Sequence, residues 1–193
     1  MFATVLKEQT ARAHAALERQ LIARIRTIGT TDDYVQLLLL LYGYYHPLEQ
    51  AIDRRLSHTR FADGHGGQRR KADRIADDIR ALGSVDFFPQ QCTVIPDIAS
   101  IPAALGALYV LEGSTLGGKI IAGMIARQLN RPAGSGFSFF DPYGDATREK
   151  WNAFRKKLEW PFTDAEQQTI VQAANDTFTT FKQWVDEHEP ANS

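Results

Sequence analysis

A chain of 193 residues, 44% of them hydrophobic, is long enough for one domain with a sizeable core. Its net charge of −1 offers no electrostatic handle to nucleic acid or to an anionic membrane, so neither is expected as a partner. The single cysteine, Cys92, excludes an internal disulfide.

The first element falls on residues 6–21, LKEQTARAHAALERQL. Leu6, Thr10, Ala13, His14, Leu17 and Leu21 follow the 3,4 spacing of one helical face, with Thr4 as the expected cap. That pattern puts His14 on the buried side. Glu18, four residues on, is within reach to accept the imidazole Nδ1 proton and leave the other ring nitrogen for a metal. Lys7 lies two turns earlier, about 10 Å along the axis. A histidine on an apolar face is more often a hydrogen-bonded core residue than a ligand, so this helix alone does not decide its role.

The pattern breaks around Gly29, and Thr31, Asp32 and Asp33 supply a cap and an acidic first turn. Residues 34–45, YVQLLLLLYGYY, are apolar nearly all round and predict a buried central helix. Pro47 is expected to kink it or to open a new helix, LEQAIDRRL. Residues 58–67 read as a loop, and its His58, Asp63 and His65 match no zinc spacing. A charged amphipathic helix at 69–82 ends at Gly83, and residues 84–102 are irregular, with Pro89 and Pro96 as breakers. Pro102 then starts one long helix to about Asn130. An aromatic loop at 134–144, a basic amphipathic helix at 147–158, and a last helix capped by Thr163 and Asp164 and running to about Glu187 complete the chain.

Strand signals are nearly absent, the alternation around Phe137 and Phe140 being too short. The expected class is all-α, a single domain of seven or eight helices over residues 1–193. The longest apolar runs, such as 37–42, are far short of a membrane span, and no charged leader precedes an apolar run. No membrane association is expected, and a cytoplasmic location is.

The long helix contains EGSTLGGK, with Gly113, Gly117 and Gly118. Each interior glycine costs about 1 kcal/mol relative to alanine. Something must need backbone without side chains there. Close packing of another helix is one use; a flat ligand lying against bare backbone is the other. Taken with the first helix, the second use describes a sandwich: a histidine with an orienting carboxylate on one side and a side-chain-free surface on the other. A planar metal macrocycle fits between them.

These stretches resemble the heme oxygenase family over nearly the whole chain. LKEQTARAHAALE is similar to the family's proximal helix, and LYGYYHPLEQAI and RKADRIADDIRALG are similar to its following helices. ALYVLEGSTLGGKII is similar to its distal helix. The resemblance is strongest to the bacterial branch paired with bacteriophytochromes. It implies that heme is sandwiched between the proximal and distal helices. His14 is then the iron ligand, Glu18 its hydrogen-bond partner and Lys7 a propionate contact. Gly113, Ser114, Gly117 and Gly118 form the distal catalytic side. The best matches to a basic propionate contact on the penultimate helix and a packing phenylalanine on the last are Arg148 and Phe178, at a spacing that differs from the family's.

The resemblance further implies oxidative opening of heme to biliverdin with release of iron and CO. Heme would serve as both cofactor and substrate, with O2 consumed. Electrons would come from a reductase or ferredoxin-type partner, because the chain carries no flavin or nicotinamide motif. A bacteriophytochrome is the implied recipient of biliverdin. One departure matters: many members carry an aspartate just after the first distal glycine, where it organises the water chain that delivers protons, and here that position is Ser114. A hydroxyl holds a water but is not an acid at neutral pH. That departure sustains a second reading, a non-catalytic heme carrier. An all-α enzyme acting on another small molecule and a helical interaction protein are further alternatives.

Overall fold

The computed structural model describes residues 1–62, 70–84, 89–132 and 134–188. They form seven α-helices and no strand, in keeping with the all-α expectation. In chain order these are α1 (Phe2–Arg26), α2 (Thr31–Leu56), α3 (Lys71–Ala81), α4 (Ile101–Gly113), α5 (Thr115–Gln128), α6 (Thr147–Leu158) and α7 (Asp164–Glu187), with a 3-10 turn, Gly144–Ala146, leading into α6. His58 follows α2 in a turn, whereas Asp63, His65, Arg69 and the 85–88 part of the irregular stretch lie outside the described residues.

Several helix ends follow from local chemistry. Thr163 caps α7 by accepting from the Glu166 main-chain N–H, and the Glu166 carboxylate accepts in return from the N–H of Thr163 at 2.8 Å. The same reciprocal box, Thr30 with Asp33, starts α2 one residue before the expected Thr31 cap. Gly83 closes α3 as read: its φ of +99° lets Ser84 N–H reach the Ile79 carbonyl (3.2 Å) and Gly83 N–H reach that of Arg80 (3.0 Å).

Other ends depend on distant residues, and there the sequence reading is corrected. α1 begins at Phe2 rather than after Thr4. Its cap is the Glu159 carboxylate, 3.3 Å and 3.4 Å from the main-chain nitrogens of Phe2 and Ala3. A negative group there satisfies N–H donors that a first helical turn leaves unpaired. Pro47 lies inside α2 and starts no new helix. Proline removes the N–H that would serve the Gly43 carbonyl; the N–H of Cys92 donates to that carbonyl instead, at 2.8 Å. The missing side chain of Gly43 permits this approach, since a Cβ would come within 2.4 Å of the Gln90 carbonyl oxygen. The single long helix expected from Pro102 to Asn130 is two helices, parted at Ser114.

α7 is the floor of the fold, with α1 and α4 both lying along it. α4 comes so close that a Cβ on Gly106 would sit 2.3 Å from the Ile170 carbonyl oxygen. Tyr44 of α2 stacks on Phe181 of α7, centroids 4.3 Å apart, and its hydroxyl donates to the Thr177 carbonyl. On α1 the buried stripe runs through Leu6, Thr10 and Leu17. The two leucines contribute about 2 kcal/mol each relative to exposure, enough to seat α1 while its neighbouring face stays open. None of these helices is long and apolar enough to cross a membrane, among the described residues.

Candidate functional site

The candidate site residues read from the sequence fall chiefly on two elements, α1 and the α4–α5 run. Among the described residues they do not pack extensively on each other, and side-chain hydrogen bonds join them at one end, where the Gln128 amide donates to the carbonyls of Ile25 and Ile28, both at 3.1 Å. Near the other end the Tyr109 hydroxyl lies by the Thr10 side chain, which draws the tyrosine's pKa down against the larger rise that burial causes. The break at Ser114 and Gly117 both lie between Tyr109 and Gln128, and His14 lies between Thr10 and Ile25.

The break has a chemical origin. Ser114 Oγ donates to the Leu111 carbonyl (2.8 Å), and Thr115 Oγ1 donates to that of Glu112 (2.7 Å). Hydroxyls that take up carbonyls compete with the helical ladder, and Gly113 beside them adds little helix propensity to resist.

The three glycines of EGSTLGGK do different things. A Cβ on Gly117 would meet nothing within 4 Å, and one on Gly113 would make only ordinary contact, 3.8 Å, with the Trp151 ring. A Cβ on Gly118 would lie 1.8 Å from the Phe140 carbonyl oxygen. Gly118 is therefore explained by close approach of the 134–144 loop, which corrects the expectation that all three glycines present bare backbone to a ligand. Beside the open glycines, Leu116 and Ile120 are 49% and 70% exposed. By helical spacing they share a side with Gly113 and Gly117.

His14 is exposed, not buried as its spacing predicts. It stands at the edge of the stripe formed by Leu6, Thr10 and Leu17, and its ring meets Phe178 of α7 edge-on, centroids 5.4 Å apart. The structure thus brings together His14 and Phe178, 164 positions apart in the chain. Glu18 is exposed one turn on, and no hydrogen bond joins it to His14 among the described residues. Lys7 is exposed on α1 and Arg148 in the first turn of α6.

Sequence reasoning passed over two residues here. Tyr45, 3% exposed, donates its hydroxyl to Ser114 Oγ at 3.3 Å. Burial raises its pKa well above the usual phenol value, so it acts as a neutral donor. In YGYYHP it reads only as core. Glu112 is the other: 1% exposed, it accepts from the Lys71 ammonium at 2.6 Å behind the break. Nearby, the Glu49 carboxylate accepts from the main-chain N–H groups of Lys71 (2.7 Å) and Ala72 (3.0 Å). Burial pushes its pKa up to about 7, against the lowering pull of Lys71 and those N–H groups.

Comparison with known proteins gives a consistent picture. The family model described as heme oxygenase matches residues 1–187. A heme oxygenase of Xanthomonas campestris pv. campestris (strain 8004) is 32% identical over 130 residues, 66% of this chain and 73% of that protein. Among solved structures, a heme oxygenase from Leptospira interrogans superposes with a TM-score of 0.79 at 21% identity, covering 96% of this chain and 98% of that one. Heme oxygenase-1 of Synechocystis sp. PCC6803, solved in complex with heme, gives 0.77 at 19% identity, covering 97% and 92%. The NO- and CO-bound enzyme of Neisseria meningitidis gives 0.78 at 21% identity, covering 100% and 95%.

Proposed function

We propose that this chain, which belongs to the heme oxygenase family, binds heme between α1 and the α4–α5 run and opens it to biliverdin, releasing iron and CO, with O2 and electrons from a reductase or ferredoxin-type protein. The observation that carries the reading is the open side of the distal wall. Gly117 has nothing within 4 Å of where a Cβ would stand, and the neighbouring Leu116 and Ile120 are exposed. A flat apolar ligand would cover all three.

The opposite wall fits the same ligand. His14 offers one exposed imidazole with its ring braced on Phe178. Among the described residues no three His, Cys, Asp or Glu side chains converge on a metal position. A lone histidine suits a metal that arrives with its other ligands in place. Glu18 would orient the imidazole by accepting its Nδ1 proton, a contact that a rotamer change at i+4 brings within reach. Lys7 and Arg148, both exposed, would meet the propionates as cations. When bound, heme supplies the redox-active iron and is itself the ring that is opened.

Ser114 is the polar group of the distal wall. Its hydroxyl donates to the Leu111 carbonyl and accepts from Tyr45, and its side of the chain is exposed. Such a hydroxyl has a further lone pair for a water molecule. The water route would be held by Ser114, Tyr45 and peptide groups bared by the glycines, in place of the family's aspartate.

Two measurements test this. Added hemin is expected to give a Soret band at one-to-one stoichiometry, with His14→Ala losing the histidine-ligated spectrum while circular dichroism stays helical. With O2 and a reductase system, biliverdin and CO are expected. A heme spectrum that persists with no biliverdin supports the carrier reading instead. Transfer of biliverdin to a bacteriophytochrome belongs to the same proposal and is read by the chromoprotein's far-red absorbance.

A further inference from the structure

The packed side of α4 carries charged groups that the proposed reaction does not use. Lys71 Nζ lies 2.6 Å from Glu112 Oε1, with side chains only 2% and 1% exposed. The Tyr143 hydroxyl is 3.2 Å from each oxygen of the same carboxylate, and its ring lies 5.7 Å from the Lys71 ammonium. Glu49 on α2 receives the first two N–H groups of α3. Four segments therefore meet at Lys71: α2, α3, α4 and the stretch leading into α6.

Stability alone is a poor reason to keep such a pair. Taking two ions out of water is costly, and apolar side chains of the same volume are often equal or better. A buried ion pair differs from an apolar contact in being directional. An apolar side chain at position 112 could be satisfied in several rotations of α4, whereas the carboxylate is satisfied in one. Glu112 is also the residue before Gly113, and its own carbonyl is taken by Thr115 across the break.

We propose that the Lys71–Glu112 ion pair, closed by Tyr143, is a positioning device that fixes the rotational register of α4 at its break, so that Gly113 and Ser114 face the proposed heme site. Glu112 is a positioning residue that acts through its neighbours and touches no ligand. The idea gains its purpose from the heme reading, but its test does not depend on heme.

The test is amide hydrogen exchange of the heme-free protein. In Glu112→Gln, which keeps size and loses charge, amides 113–117 are expected to exchange at least tenfold faster, while core amides of α7 change less than threefold. The paired variant Lys71→Met/Glu112→Met replaces the ions by apolar groups. It is expected to match the wild-type Tm and still show the tenfold local increase. Wild-type protection of 113–117 in the paired variant overturns the proposal, because apolar filling then suffices. An increase that spreads equally to α7 in either variant overturns it too, since the pair is then a general stabiliser. Heme binding measured separately keeps the two ideas apart: protein that fails to bind heme leaves the amide result standing, and the reverse holds as well.

Discussion

Gly117 and Gly118 are neighbours in the chain and opposite in circumstance. A side chain on Gly118 would strike the Phe140 carbonyl at 1.8 Å, and one on Gly117 would strike nothing. A helical glycine costs about 1 kcal/mol in either place. At Gly118 that cost is offset by a loop that packs directly on the helix. At Gly117 no contact among the described residues offsets it, and the proposed heme would. The difference separates a glycine that packing within the chain explains from one that such packing does not explain.

The sharpest way to break this comparison is to add the missing atoms. Gly118→Val is expected to lower stability by about 3 kcal/mol or more, because the obstacle is main chain and cannot rotate aside. Urea unfolding followed by circular dichroism reads it. Gly117→Ala is expected to leave stability unchanged or raise it by up to about 1 kcal/mol, as alanine is the better helix former. Equal losses at the two positions would end the distinction.

A smaller effect is expected where the ligand is the reporter. Gly117→Val is expected to weaken hemin binding at least tenfold, by Soret titration, with a Tm close to wild type. Normal heme affinity with a much lower Tm would return Gly117 to the class of Gly118.

The packed side of the break offers a pH test. The Glu49 pKa is raised from 4.5 to about 7 in the folded chain, chiefly by burial. Between those values the native state holds a proton that the unfolded state has lost, so this group's contribution is fully present below about pH 4.5 and is lost as pH rises through 7. Glu49→Gln cannot titrate. The stability of wild type relative to this variant is expected to fall between pH 5 and pH 8, measured by urea midpoints at each pH. A constant difference would place the carboxylate in an ordinary ionised state.

Much of the fold was legible because its signals are local. Gly83 ends α3, and Thr163 with Glu166 starts α7, through contacts within a few residues. The cap of α1 was not, since Glu159 is 157 positions from the N–H it serves. Pro47 has the same explanation: whether it breaks α2 depends on Cys92 arriving at the Gly43 carbonyl. In the candidate site, His14 and the open glycines were visible as types at a spacing, whereas the exposure of His14 was not, because an exposed side chain at the border of the apolar stripe carries nearly the same helical phase as one inside it. Lys71 reads as one more cation on a charged helix, yet it is 1% exposed. Its burial depends on Glu112, 41 positions away.

The smallest expected effect lies at the break itself. Ser114→Ala removes the acceptor of the Tyr45 hydroxyl and the donor to the Leu111 carbonyl. A buried donor left alone costs about 1–3 kcal/mol, but Ser114 is exposed, so water can take its place. Stability should therefore fall by less than about 1 kcal/mol, and the rate of biliverdin formation by only a few-fold. Tyr45→Phe should have a similar effect if the two hydroxyls act as a pair on one water. In that case the double variant is no slower than either single one, because the second change removes a partner of something already gone. Rates that multiply in the double variant would show two independent groups. Complete loss in Ser114→Ala alone would make its hydroxyl indispensable, leaving the peptide groups bared by the open glycines no share in holding the water.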